Sequence, residues 1–274
     1  LRNPVRIQVK AKQMTPKELS NYYITCQQDE RLHHLLHFLS NHTRDKIIVY
    51  FLSCAGVNYF MKLIPDLIQV VKNNNNTSNS NTNTTSNSDY LHKLSHLRVF
   101  GLHGKMVQKR RNATYNEFIE AEHGVLLATD VAARGLDFPN VNYIIQFDAP
   151  KDPNVFIHRA GRTARMGKTG VSILYLTPHE LHYVEYLHVK KVPIEEAPEE
   201  LLIETRGADY KSITELDGEQ EDAEFNDNDN NNNKNVNHGD HVSPPCGLVP
   251  HAPAHALLIK CKSLVKQDLD LAEK

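Results

Sequence analysis

Apolar positions between residues 21 and 195 alternate between two periods. Tyr22-Tyr23-Ile24-Thr25-Cys26 has the composition of a strand, and Leu32, Leu35, Leu36 and Leu39 then mark one face of a helix that starts near Asp29. Ile47 to Leu52 is a continuous apolar run, which predicts a parallel strand buried on both faces. Phe60, Leu63, Leu67 and Val71 predict a second helix, with Pro65 as a kink or break inside it. Short strands follow at 97–102, 125–129, 143–147 and 171–176, and helical patterns around 107–121, 153–160 and 179–189. This alternation implies an α/β fold, a doubly wound parallel sheet flanked by helices. Ligands of such sheets bind beyond the carboxyl ends of the strands, and Thr129 and Asp130 fall at one of those ends.

Polar tracts interrupt the pattern. Residues 73–88 contain only Asn, Ser and Thr. Such a tract buries no apolar area to offset its ordering entropy, so it predicts a disordered insertion in a surface loop. Doubling the length of such a loop costs only about 0.6 kcal/mol in closure entropy, so the domain should tolerate it. Residues 196–256 are acidic, then rich in Asn and Asp, and read as a linker with a disordered stretch at 215–241.

Charge divides the same way. The formal net charge of −2 hides 24 Lys and Arg against 15 Asp and Glu in residues 1–194, and 2 against 14 in residues 195–229. A basic body suits a polyanionic partner without naming one. The four cysteines, Cys26, Cys54, Cys246 and Cys261, form no CxxC pair, which argues against a zinc site and a disulfide framework and for a reducing compartment. Sixteen histidines show no HExxH spacing, so no metal site is expected. No apolar run is long enough to cross a membrane, and no membrane association is expected.

The chemistry concentrates in two segments. One is Ala128-Thr129-Asp130-Val131-Ala132-Ala133-Arg134-Gly135-Leu136-Asp137, and the other is His158-Arg159-Ala160-Gly161-Arg162-Thr163-Ala164-Arg165. Arg159, Arg162 and Arg165 repeat every three residues, separated mostly by small residues. Guanidinium forks so close together repel one another unless anions sit between them, and Arg suits bidentate phosphate recognition. The other reading of the same spacing is a solvated basic helix face.

These segments resemble motifs V and VI of the DEAD-box RNA helicases, ATDVAARGLD and HRxGRTxR. Lys46-Ile47-Ile48-Val49-Tyr50-Phe51-Leu52-Ser53 resembles motif IV. Leu102-His103-Gly104-Lys105-Met106 with Gln108 and Arg111 resembles the HG segment and the QxxR of motif IVa. The resemblance covers roughly residues 1 to 195. It implies the C-terminal RecA-like domain at 21–195, preceded by an interdomain linker at 1–20. The sequence contains neither a Gly-x4-Gly-Lys-Ser/Thr loop nor Asp-Glu-Ala-Asp, which in this family belong to the first RecA-like domain. The chain is therefore expected to be a fragment that is inactive alone, whose ATP and Mg²⁺ would be held by that other domain.

By resemblance, Arg162 and Arg165 are arginine fingers for the γ-phosphate, and Asp137 touches the ATP ribose. His158 couples hydrolysis to domain closure. Ser53, His103, Gly104, Arg111 and Thr129 line the RNA path, with Lys105, Lys109 and Arg110 beside it. Arg159, Gln108, Asp130, Arg134 and Gly135 are structural or interdomain residues, with Arg159 expected to pair with a carboxylate of its own domain. Segments at 21–23, 54–57, 103–106 and 183–193 resemble the nucleolar subgroup that assembles the large ribosomal subunit. That implies pre-rRNA and pre-ribosomal proteins as partners, and the nucleus and nucleolus as location. Residues 257–274 resemble the start of that subgroup's helical extension. Two other readings remain: a stand-alone, non-catalytic RNA-binding half-domain, and a DNA translocase, which the form of the last motif disfavours.

Overall fold

The computed structural model describes residues 14–75, 92–132 and 135–206. Seven parallel strands form one sheet in the order β3-β4-β2-β5-β6-β1-β7. They are β1 (Leu19–Thr25), β2 (Lys46–Tyr50), β3 (Val99–Leu102), β4 (Gly124–Ala128), β5 (Tyr143–Gln146), β6 (Gly170–Leu176) and β7 (Glu195–Glu196). The helices are α1 (Arg31–Asn41), α2 (Cys54–Asn75), α3 (Gln108–Glu120), α4 (Pro153–Ala160), α5 (His182–Val189) and α6 (Glu199–Arg206). The doubly wound parallel sheet expected from the apolar pattern is present.

Alternation within the strands explains the two layers of helices. In β2, Ile47 and Val49 join a core with Leu35, Leu36 and Leu39 of α1 and Leu63 and Leu67 of α2. Ile48 and Tyr50 face the other side, where Phe118 of α3 packs. Along the same opposite face, Leu174 and Leu176 of β6 meet Phe156 of α4 and Leu187 of α5. A strand covered on both sides needs apolar residues at every position, which is why residues 47–52 show no alternation. The one charge in β2, Lys46, is 2% exposed. Its ammonium donates to the Ile119 carbonyl at 2.9 Å and lies 5.0 Å from the centre of the Phe118 ring, while burial lowers its pKa.

Three features differ from the sequence pattern. First, α2 runs through Pro65 without a break. Pro65 lies on the exposed face, where the carbonyl it leaves unpaired can turn to water. Second, Asn73 to Asn75 of the polar tract continue α2, and its remainder from Asn76 lies outside the described residues. Third, Glu195 to Arg206, expected to close the body and open an acidic linker, form β7 and α6. Ala197 donates its N–H to the Tyr23 carbonyl at 3.0 Å, and Leu201 and Thr205 turn one face of α6 inward. The Glu204 carbonyl accepts from the His37 ring at 2.9 Å and the Asn41 amide at 3.1 Å, tying α6 to α1. Residues 1–13 of the expected linker, the rest of the acidic segment from 207, and the expected extension at 257–274 lie outside the described residues.

This packing sets a pH dependence. His34 of α1 is fully buried, edge-on to Tyr175 at 6.3 Å. Burial holds its pKa well below the ordinary value, and Arg206, His33 and His37 lower it further. The unfolded chain takes up this proton near pH 6.5 while the folded chain does not, so stability is lost as the pH falls below that value. Melting temperature should drop between pH 7 and pH 5, and His34→Leu should reduce that drop. An unchanged slope in the variant would mean that other groups govern acid unfolding.

Candidate functional site

Residues at the carboxyl ends of three adjacent strands lie side by side. Thr129, after β4, donates its N–H to the Leu102 carbonyl of β3 at 3.2 Å, which sets it beside His103. Phe51, after β2, donates to the Ala128 carbonyl at 2.9 Å, and Ser53 follows it. The β3-β4-β2 order therefore aligns His103, Thr129 and Ser53 in a row. Ser53 is exposed, and its Oγ accepts the Gly56 N–H at 2.9 Å at the start of α2. Gly104 and Lys105 are exposed, and a Cβ on Gly104 would meet Val131 Cγ2 at 3.3 Å. That close fit leaves the backbone, not a side chain, as the surface of the loop.

His103 is oriented inward. The residue is 6% exposed, with Nε2 2.9 Å from Asn58 Oδ1 on α2. Burial lowers its pKa, helped by Arg110 and Lys105. Arg111, half-buried, and Gln108, exposed, lie in the first turns of α3, where Gln108 donates to Asn112 Oδ1 at 2.8 Å. Gln108 therefore pairs within its own helix.

A second cluster joins the connection after β4 to the end of α4. The Asp152 side chain caps α4 by accepting the Asn154 N–H at 2.9 Å, and Pro153 fits the first turn. This eight-residue helix ends at Gly161, and the three arginines diverge from there. Arg159 is fully buried: its Nε donates to Asp130 Oδ1 at 2.6 Å, its Nη1 to the Asp148 carbonyl at 2.9 Å, and its guanidinium lies 5.2 Å from the centre of the Tyr50 ring. Arg162 donates to the carbonyls of His158 at 3.2 Å and Leu136 at 2.5 Å. Burial lowers its pKa, as does Arg165, against the opposing pull of Tyr50 and Asp137. Arg165 donates to the Gly161 carbonyl at 2.9 Å and pairs with the Asp137 carboxylate.

His158 itself is exposed. Gly135 has φ +72°, a left-handed conformation that Gly adopts at no steric cost. Asp137 also accepts the Tyr115 hydroxyl at its carbonyl, at 2.8 Å. Arg162 and Arg165 line a cleft of about 160 Å³ with Asn140, Asn142, Thr163 and Lys168. The arrangement offers two forked cationic donors, suited to a phosphate, beside a carboxylate that could accept from a vicinal diol. Arg134 lies outside the described residues. Among the described residues, no group of three His, Cys, Asp or Glu could hold a metal ion.

Four contributors escaped the sequence reading. Tyr50 sits beneath Arg159, and Asp148 supplies it a carbonyl while its carboxylate accepts the Leu52 N–H at 3.0 Å. Thr163 Oγ1 donates to the Val141 carbonyl at 2.5 Å and also contacts that of Asn142 at 3.1 Å. Asn58 holds His103. Only Thr163, inside Gly-Arg-Thr, and Tyr50, inside the segment that resembles motif IV, carried a signal.

Residues 27–167 match the family of the helicase conserved C-terminal domain. The chain is 41% identical over 204 residues to the probable ATP-dependent RNA helicase ddx55 of Dictyostelium discoideum, covering 72% of this chain and 27% of that protein. It is 37% identical over 207 residues to DEAD-box ATP-dependent RNA helicase 18 of Arabidopsis thaliana, covering 72% and 31%. The chain belongs to the DEAD-box helicases. It spans about a quarter to a third of the length of these relatives. Among solved structures, Mss116p bound to ssRNA and AMP-PNP shares the fold, with a TM-score of 0.53 and 23% identity, covering 74% of this chain and 38% of that one. Membership in the DEAD-box family thus rests on sequence, and the fold agrees with it.

Proposed function

We propose that the chain is the C-terminal RecA-like half of an ATP-dependent RNA helicase, acting in large-subunit ribosome biogenesis. The observation that carries this reading is the placing of Arg162 and Arg165 in one cleft beside Asp137. A first RecA-like domain would hold the β- and γ-phosphates and Mg²⁺. Closure over ATP and RNA would then move Arg162 and Arg165 from their own-domain acceptors onto the γ-phosphate, and Asp137 onto the ribose. His158, exposed at the end of α4, would face the first domain. Arg159 and Asp130 keep the fingers' base rigid from within, while Gly135 and Arg134 belong to the same connection.

RNA would lie along the row of Ser53, Thr129 and the Gly104 backbone, with Arg111 and Lys105 adding charge. His103 supports this loop from inside. Contacts of this kind reach phosphates and sugars, so they carry no sequence code. Pre-rRNA as substrate, pre-ribosomal proteins as partners and a nucleolar location rest on the subgroup resemblance of residues 21–23, 54–57, 103–106 and 183–193.

The chain should bind single-stranded RNA weakly, with an affinity that falls steeply with salt. It should hydrolyse no ATP alone, and gain RNA-stimulated turnover when joined to a first RecA-like domain. Turnover by the isolated chain would refute the division of labour. RNA binding with no turnover in the joined protein would instead favour a stand-alone RNA-binding half.

A further inference from the structure

Asn58 has no place in the motifs, yet its side chain hydrogen-bonds the His103 ring at the base of the His103–Gly104 loop, across 45 positions of sequence. We propose that Asn58 is a positioning residue that fixes the His103–Gly104 loop for RNA by locking the His103 ring with its proton on Nε2. The proposal rests on reading that loop as an RNA contact.

The chemistry follows from the donors and acceptors available. Asn58 Oδ1 can only accept, so His103 Nε2 must carry the proton at 2.9 Å. In the neutral ring the other nitrogen is then bare, and His103 Nδ1 is buried without a hydrogen-bond partner. Protonating it would bury a donor with nothing to meet. The charges around the ring also oppose this, with Lys105 from the loop itself and Arg110 from α3 both cationic, and both depress the ring's pKa after burial has done so. The main chain is held from the other side, because the His103 N–H points to Met106 Sδ at 3.4 Å. Gly104 follows directly, where a Cβ would press on Val131 Cγ2 at 3.3 Å. Asn58 thus anchors a loop whose exposed tip is backbone and Lys105. It is exposed itself, so its loss removes no core packing.

The test uses the whole 274-residue chain, a single-stranded oligouridine as probe, and long-range ¹⁵N spectra of the His103 ring. Asn58→Ala should weaken RNA binding about fivefold, the equivalent of one hydrogen bond. It should leave the melting temperature nearly unchanged and convert the His103 nitrogens from a single Nε2–H tautomer to a mixture. Asn58→Asp restores an acceptor, so the single tautomer should return at high pH. Its carboxylate favours the imidazolium, so the ring should titrate at a higher pH than in the parent, with RNA affinity tracking that titration. Lys105→Glu separates the two claims. If it weakens RNA binding while Asn58→Ala does not, the loop is an RNA contact and the positioning role is wrong. A parent chain that binds no oligouridine overturns the RNA reading, and the positioning role with it.

Discussion

Arg162→Ala, made in this chain joined to a first RecA-like domain, should lower RNA-stimulated ATP turnover by about 10³-fold. That loss corresponds to roughly 4 kcal/mol of transition-state stabilisation. Arg162 is anchored at its root by the His158 carbonyl and at its tip by the Leu136 carbonyl, both neutral acceptors. Exchanging these for a γ-phosphate gains a charge-assisted, forked contact, which is why the substitution should act on turnover and not on folding. Arg162→Lys keeps the charge but loses the fork, and should recover little. Arg165 starts from a different position, because its guanidinium already pairs with the Asp137 carboxylate. It must exchange one anion for another, so Arg165→Ala should also release Asp137. RNA affinity and melting temperature should stay near the parent values in Arg162→Ala. A turnover within a few-fold of the parent would remove Arg162 from the transition state.

What could be read in the sequence depended on how local each cause is. The strands and most helices were visible because burial on one or both sides writes a period into consecutive residues, as in Ile47–Tyr50. The end of the body was not, because α6 exposes Glu199 and Glu200 and buries only Leu201 and Thr205. Dense acidic charge then looked like a linker, although the helix docks on α1 through its Glu204 carbonyl. At Pro65 only the break failed to appear, since a proline on a solvent face costs a helix one hydrogen bond without ending it.

In the candidate site, residue type and spacing pointed to Arg162 and Arg165 and the family resemblance to Asp137, while their partners came from elsewhere in the chain. Arg165 meets Asp137 across 28 positions, and His103 meets Asn58 across 45. No periodic pattern encodes such pairs. They follow from the β3-β4-β2-β5 order, which brings the ends of distant strands together. Tyr50 illustrates the ambiguity that results. In sequence it closes an apolar strand, and in the structure it is also the surface on which the buried Arg159 rests.

The largest effect on folding should come from a residue outside every candidate contact. A Cβ on Gly170, the first residue of β6, would lie 2.2 Å from Thr163 Oγ1 and 2.6 Å from the Ala164 nitrogen. Neither neighbour can yield easily. Thr163 is fixed by the Val141 and Asn142 carbonyls, and the loop beyond it already holds Ala164 at φ 55° and Met166 at φ 54°. Gly170 is equally pinned, because its N–H donates to the Glu18 carbonyl at 3.0 Å where β6 pairs with β1. Gly170→Ala should therefore cost about 3 kcal/mol, the upper range for overpacking. For a body of this size, that lowers the melting temperature by roughly 6–12 °C. Gly167→Ala is the comparison: at φ +75° it pays only for left-handed backbone, about 1–2 kcal/mol, since nothing lies within 4 Å of its Cβ. Adding Thr163→Ala to Gly170→Ala should not restore stability, because the Ala164 backbone still blocks the new methyl and the Thr163 hydroxyl's hydrogen bond is gone. If Gly170→Ala melted with the parent, the tight seat of this loop on β6 would be wrong, and with it the rigid base from which Arg162 and Arg165 extend.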